Sequence, residues 1–429
     1  MKSRHIFRTK EILLFTVIAL LSFGIKAQNS DVKEIKGTVV NERTGKKLSL
    51  VSIQLENSNI STVSNADGEF IIKLPDNVQQ SSLIASLLGF QNKRIALSNV
   101  STSDLKISLL PSSINLNEVK ITSFKNAEDL IKAVFDKKQE NYSNDRTIMT
   151  SFYRETIKKR RKNVSLSEAV VNLYKQPYTK GSRDFMKLLK SRKSTDYTQL
   201  DTIALKLQGG PYNTLYVDVM KYPEYIFTPA TLSNYDFSFD NPTEINGNGV
   251  YIVSFKQKEY IRDPLYFGKL YISSNTFALV RAEYSLNVSD KVEAGKLFVQ
   301  RKPASVNVEP QIINYRVDYR KKGNKWYYSY SNASLTFKIK KRRRLFNSTY
   351  SLSCEMAITD WHNSTSDTEW SRIGDINKSI ILTDEASGFS DPEFWGDYNV
   401  IEPEKSIESA INKIRRKLDK IGERGITGQ

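Results

Sequence analysis

The chain has 429 residues, 64 Lys and Arg against 47 Asp and Glu, two His, one Cys, and 39% hydrophobic residues. With 11% aromatic residues, 22 of them Tyr and 20 Phe, it is not a disordered polypeptide. A single Cys excludes an intramolecular disulfide, and one His beyond the first ten residues leaves too few ligands for a usual zinc site. No nucleotide-cradling Gly-rich loop and no Gly-x-Ser-x-Gly elbow occurs, so nucleotide and serine-hydrolase chemistry have no support.

Residues 1–27 carry the pattern of a secretory signal peptide. Lys2, Arg4, Arg8 and Lys10 precede the apolar run Ile12–Leu21, and Ala27 offers a small residue for cleavage before Gln28. The run is shorter than the roughly 20 residues that span a bilayer. No Cys follows it to take a lipid. Residues 28–429 are therefore expected to be an exported protein without a transmembrane segment. Most of the net charge of +17 falls on residues 122–361, whereas residues 362–402 hold nine acids and two bases.

The first module is expected over residues 28–121. Ile35–Val40 alternates apolar and polar residues and runs into the turn Asn41–Gly45. Leu50–Leu55 and Phe70–Leu74 repeat the alternation around an Asn65-Ala66-Asp67-Gly68 turn, and further short runs fall at Ser82–Leu88, Lys93–Leu97 and Leu105–Leu109. Six or seven short strands in so few residues describe a small β-sandwich. Gly37-x-Val39, Thr44-Gly45, Val51-x-Ile53, Ser64–Phe70 and Leu88-Gly89-Phe90 resemble the carboxypeptidase-regulatory-like domain, a transthyretin-like sandwich. The resemblance implies that Asp67, Gly68 and Gly89 determine the fold and perform no catalysis. A peptidase reading is refused by the absence of His-x-x-Glu and His-Glu-x-x-His.

The second module is expected over residues 122–361. Asn126–Tyr142 reads as a helix, with Ala127, Leu130, Ile131, Val134 and Phe135 on one face. Long alternating runs follow at Thr147–Ile157 and Val164–Tyr174, a hairpin, then at Gly249–Lys256, Lys269–Ser273, Ala278–Asn287, Ile312–Lys321, Lys325–Lys338 and Tyr350–Ile358. A large curved antiparallel sheet or half-open barrel with few helices accommodates them. Phe152–Glu155, Gly268–Ser273 with Phe277–Arg281, and Phe394–Glu404 extend the resemblance over nearly all of residues 28–429, to Bacteroidota proteins that carry the regulatory-like domain. That resemblance implies an envelope location and brings no reaction. Gly268–Arg281 is more loosely similar to the periplasmic lipoprotein-carrier fold.

Residues 362–429 read as an acidic strap followed by a helix bearing Ile407, Ala410, Ile411, Ile414 and Leu418. Asp384, Glu385, Asp391, Glu393, Asp397 and Glu402 do not match a calcium loop. Phe389, Phe394, Trp395 and Tyr398 would anchor the strap on the basic body. Cys354, inside a strand, is expected to be a small buried residue.

The candidate site residues are two basic runs, Lys158-Lys159-Arg160-Arg161-Lys162 and Lys340-Lys341-Arg342-Arg343-Arg344. Placed at hairpin tips, they suit either contact with lipid headgroups or plain solvated turns that keep sheet edges soluble. The many strand aromatics suit either an apolar ligand face or an ordinary half-buried sheet. The expectation is a non-enzymatic envelope protein, in the periplasm or at the periplasmic face of the outer membrane. No cofactor or metal is expected. The expected partner is an outer-membrane protein, lipid or apolar ligand, not nucleic acid. The alternative is a carboxylate-dependent hydrolase acting on envelope polysaccharide.

Overall fold

The computed structural model describes residues 32–78, 80–99, 104–112, 124–195, 208–245, 247–299, 304–342, 347–388 and 394–409, together with 412 and 416. The expected leader, residues 1–27, lies outside the described residues. In chain order the first strands are β1 (Val32–Asn41), β2 (Ser52–Leu55), β3 (Ser61–Val63), β4 (Glu69–Pro75), β5 (Ser82–Ser86), β6 (Lys93–Ala96) and β7 (Leu105–Leu109). They form two sheets, β4-β1-β7 and β3-β2-β5-β6. Alternate residues of each strand fill one core that includes Ile35, Val39, Val51, Ile53, Phe70, Ile72, Leu83 and Ile107, as the period of two requires. Two glycines are needed here for steric reasons. A Cβ on Gly37 would stand 2.2 Å from the carbonyl oxygen of Leu105, because β7 pairs closely in parallel with β1. Gly68 turns at φ +72°, and its Cβ would meet the Val39 carbonyl at 2.8 Å.

Helix α1 (Ala127–Asp136) begins where Asn126 accepts a hydrogen bond from the Asp129 amide at 2.8 Å. It is shorter than the sequence suggested: after Lys137 the chain re-forms a single turn, α2 (Lys138–Asn141). Next come β8 (Thr147–Lys159), β9 (Lys162–Lys175), β10 (Phe185–Thr195), the turn α3 (Tyr212–Leu215), β11 (Tyr235–Ile245), β12 (Asn248–Gln257), β13 (Tyr266–Ser273) and β14 (Leu279–Leu286). Then follow α4 (Lys291–Lys296), β15 (Val306–Lys322), β16 (Lys325–Lys341), β17 (Ser348–Asn363), α5 (Leu382–Glu385) and the two-residue β18 (Ser387–Gly388). The sheet order is β11-β12-β13-β14-β15-β16-β17-β8-β9-β10-β18. All neighbours are antiparallel except β18, and the sheet is not closed. Pro242 lies on the edge strand β11, where a missing amide costs no ladder bond.

One face of this sheet is filled by the chain itself. Leu130, Ile131 and Val134 of α1 join a core with Met149, Tyr153, Val171, Leu173, Val253, Tyr284, Val317, Leu335 and Met356. The segment 208–235 fills the remaining space with Tyr212, Leu215, Val217, Met220, Tyr222, Phe227 and Leu232. The strand aromatics Tyr251, Phe255, Tyr284, Tyr319, Tyr328 and Phe337 belong to this core as well. Cys354 is buried there too.

A charged cage pins that filling in place. Lys175 Nζ lies 2.6 Å from a carboxylate oxygen of Asp184 and 2.6 Å from one of Asp218, all three side chains buried. Tyr178 and Tyr319 donate to Asp218 at 3.0 and 2.7 Å, and the Gln176 amide donates to Asp184 at 2.7 Å. Burial pulls the Lys175 pKa down, but the two carboxylates overcome it and hold the ammonium charged. Replacing Lys175 alone leaves two buried carboxylates uncompensated. We expect Lys175→Met to lower stability by about 3–5 kcal/mol in denaturant unfolding, and adding Asp184→Asn with Asp218→Asn to restore most of the loss.

Glu155 is a second buried charge on the same face, opposite Ser167 on β9 and Cys354 on β17. Burial pushes its carboxyl up to about 7, offset only in part by a 2.9 Å hydrogen bond from the Tyr153 hydroxyl. Because the folded value lies above the unfolded one, stability is greatest below about pH 4.5 for this group and falls as pH rises through 7. Glu155→Gln should flatten the decline in Tm between pH 5 and 8 and stabilise the protein at pH 8 by on the order of 2 kcal/mol. An unchanged pH profile would contradict this assignment.

Candidate functional site

The two basic runs come together because adjacent hairpins turn at the same end of the sheet. β8 and β9 join through Arg160-Arg161, and β16 and β17 join across residues 342–347. β17 pairs with both β16 and β8, so the two tips are neighbours: the Arg160 amide donates to the Thr349 carbonyl at 2.7 Å. Arg160 adopts φ +57° at the tip, and Arg160, Arg161, Lys162 and Arg342 are exposed. Lys158, Lys159, Lys340 and Lys341 are half-buried, with Lys340 paired to Glu309 at 2.7 Å. Lys159 lies over the Tyr350 ring at 5.9 Å. Arg343 and Arg344 lie outside the described residues.

The same rim carries exposed apolar side chains, which the sequence reading did not single out. The β12–β13 connection presents Tyr260, the start of β13 presents Phe267, and the α4 segment presents Val292 and Leu297. These are four of the eight exposed large hydrophobic residues among the described residues, and all four sit at strand ends on the side of the basic tips. Nothing in their local sequence distinguishes them from core residues. Only the strand directions show that they share a rim.

The opposite sheet face, away from the core, holds a buried ion network. Arg154 donates to Glu168 at 2.7 Å and contacts Glu355 at 3.4 Å, while Arg192 holds the other Glu168 oxygen at 2.8 Å. Residues 394–403 cover it. Arg154 donates to the Ile401 carbonyl at 2.6 Å, Arg192 lies over the Trp395 ring at 4.7 Å, and Phe152 meets Trp395 edge-on. On its other side this segment is stitched to the sandwich. Asn399 exchanges hydrogen bonds with the Lys73 backbone at 2.7 and 3.0 Å, Thr62 donates to the Val400 carbonyl, and the Lys405 amide donates to Asp67. Trp395, and less completely Phe394 and Tyr398, thus pack between the two modules. Phe389, Asp391 and Glu393 lie outside the described residues, as does most of the helix expected after residue 404. Asp384, Glu385 and Asp397 are exposed.

Among the described residues, two cavities between sandwich and sheet carry charged side chains. One, of about 250 Å³, is lined by Arg154, Lys158, Arg316, Glu355 and Glu404. Glu355 is engaged by Arg154 and by the Tyr330 hydroxyl at 2.9 Å, so it is part of the ion network. The other, of about 270 Å³, is lined by residues of β2, β3 and β5 and by residues of β15 and β16, Arg320 among them. Among the described residues no three His, Cys, Asp or Glu side chains gather as a metal site would require. No helix among them is long and apolar enough to cross a membrane.

Comparison with known proteins gives one family match. No curated protein matches the chain. Among solved structures it is similar to a DUF1329 family protein from Desulfovibrio piger, at 11% identity and TM-score 0.24, covering 58% of this chain and 99% of the other. It is also similar to a LolA superfamily protein from Nitrosomonas europaea, at 9% identity and TM-score 0.21, covering 58% and 98%. At these scores neither likeness supports an argument about this chain. Residues 35–121 match the CarboxypepD_reg-like domain. The turn at Asn65–Gly68 and the close approach at Gly37 lie within the residues that match.

Proposed function

We propose that this protein is a non-enzymatic binding module of the bacterial envelope, which rests its basic rim on an anionic membrane surface. The observation that carries the reading is that two basic hairpin tips meet at the end of the sheet toward which exposed Tyr260, Phe267, Val292 and Leu297 also lie. Cations on such a rim interact with phosphate headgroups at about 1 kcal/mol each, and apolar residues beside them insert at the headgroup boundary. A purely solvated rim would need the cations and no exposed apolar partners. The leader-like residues 1–27 support export, and the inner leaflet of the outer membrane would then be within reach. The filled core face supports placing the binding chemistry outside the sheet's interior.

Protein spanning residues 28–429 should sediment with phosphatidylglycerol-containing vesicles and not with phosphatidylcholine vesicles, and should be released by high salt. The variant Arg160→Glu/Arg161→Glu/Arg342→Glu should lose on the order of a hundredfold in partitioning while keeping its Tm, from about 1 kcal/mol per residue. Equal binding by wild type to neutral vesicles, or undiminished binding by the variant, would overturn the reading.

A further inference from the structure

The 270 Å³ cavity between the modules is built around donors without acceptors. Arg320, on the outward face of β15, lines it, and its Nε and Nη2 atoms are shielded from solvent with no hydrogen-bond partner among the described residues. These two atoms form the side edge of the guanidinium, the fork that grips a carboxylate or phosphate through two parallel hydrogen bonds. Trp326, at the start of β16, borders the same cavity, but its register opposite Lys321 turns its indole to the core face. Buried donors in folded proteins are normally satisfied, so two unpaired donors on one guanidinium edge mark a missing acceptor.

The surrounding charges do not supply it. Asp318 is consumed by Arg281 at 2.5 Å and by Arg316 at 2.6 Å. Asp360 attracts Arg320 weakly and makes no ion pair with it. Burial accordingly pulls the Arg320 pKa down to about 9, a sign of a desolvated cation without a counterion. The Arg320 guanidinium lies 4.4 Å above the Trp361 ring, which holds its plane and leaves the edge free to bind. The sandwich closes the cavity with polar side chains, Ser52, Gln54 and Ser86 among them.

We propose that this cavity is a binding site for a small ligand bearing an oxyanion, held by the side edge of Arg320, with hydroxyl and amide groups of the sandwich facing the rest of the ligand. The volume, equal to about nine waters at their share of the liquid, admits a small organic acid or a single acidic or phosphorylated sugar. The site lies toward the opposite end of β15 from the basic rim and does not depend on membrane docking. It makes the regulatory-like domain one wall of a ligand site.

Thermal unfolding and titration calorimetry with sodium glucuronate and with inorganic phosphate, at ionic strength matched by sodium chloride, test this on residues 28–429. A saturable rise in Tm with either anion supports the site. A response to glucuronate alone assigns a carboxylate ligand, and one to phosphate alone a phosphate. Arg320→Gln should bind at least tenfold more weakly, yet unfold without ligand at a temperature no lower than wild type, because it removes an uncompensated charge. Arg320→Lys keeps the charge without the fork and should also bind more weakly, which decides the matter if the Gln variant does not fold. No saturable response in the wild type, or an Arg320→Gln variant that responds like it, would overturn the proposal.

Discussion

A lysine held between two aspartates inside a curved sheet constrains the rest of this molecule. Lys175 belongs to β9, Asp184 to the approach to β10, and Asp218 to the segment that crosses the core face, so the cage ties the filling segment to the wall. Such a cluster is costly to bury and is tolerable only when every lone pair and proton is used. Here the tyrosine hydroxyls and a backbone amide complete the set. With the segment fixed, the aromatic strand residues face core partners. The same sheet therefore acts as the wall of a packed core.

The outer face follows the same rule under different cover. Arg154, Glu168 and Arg192 are dry because residues 394–403 and the sandwich lie over them. That segment uses its backbone carbonyls as acceptors for both modules, at Ile401 toward the sheet and at Val400 and Glu402 toward the sandwich. The consequence is that sandwich and sheet are joined by hydrogen bonds through a common third layer. Near β2 and β15 the surfaces part and leave the cavity around Arg320. Satisfied charges under the strap and unsatisfied donors beside it are the contrast that separates structure from a binding site.

Much of this fold was legible because strand alternation is a local property. β1, β4, β8, β9, β15 and β16 each carry enough of it to be marked as strands despite bulges in β8, β15 and β16, and the Gly323-Asn324 turn marks the β15–β16 hairpin. β10 escaped notice because Lys187, Lys190, Arg192 and Lys193 crowd its sequence and a bulge after Leu188 breaks the period. β11 was hidden by Pro242 and a bulge after Asp240, and β3 by its length of three residues. The filling segment 208–235 has no period at all, since irregular backbone takes its shape from the cavity it occupies. The basic tips were readable as turns between strands, but their adjacency needed the pairing of β17 with both β8 and β16. Lys175, Asp184 and Asp218 are too far apart in the chain to suggest a cage. Arg320 reads as an ordinary outward strand residue, because only the docked sandwich buries its donor edge.

The central claim is that this protein binds from its rim and outer face while its core face stays packed. Hydrogen exchange of residues 28–429 free and bound to phosphatidylglycerol vesicles tests it most directly. The account predicts new protection confined to the tips around Arg160, residues 258–267 and residues 291–297, with exchange of the segment 212–235 unchanged. Loss of protection in 212–235 on binding would contradict it, because the segment would then be leaving the core face to admit lipid.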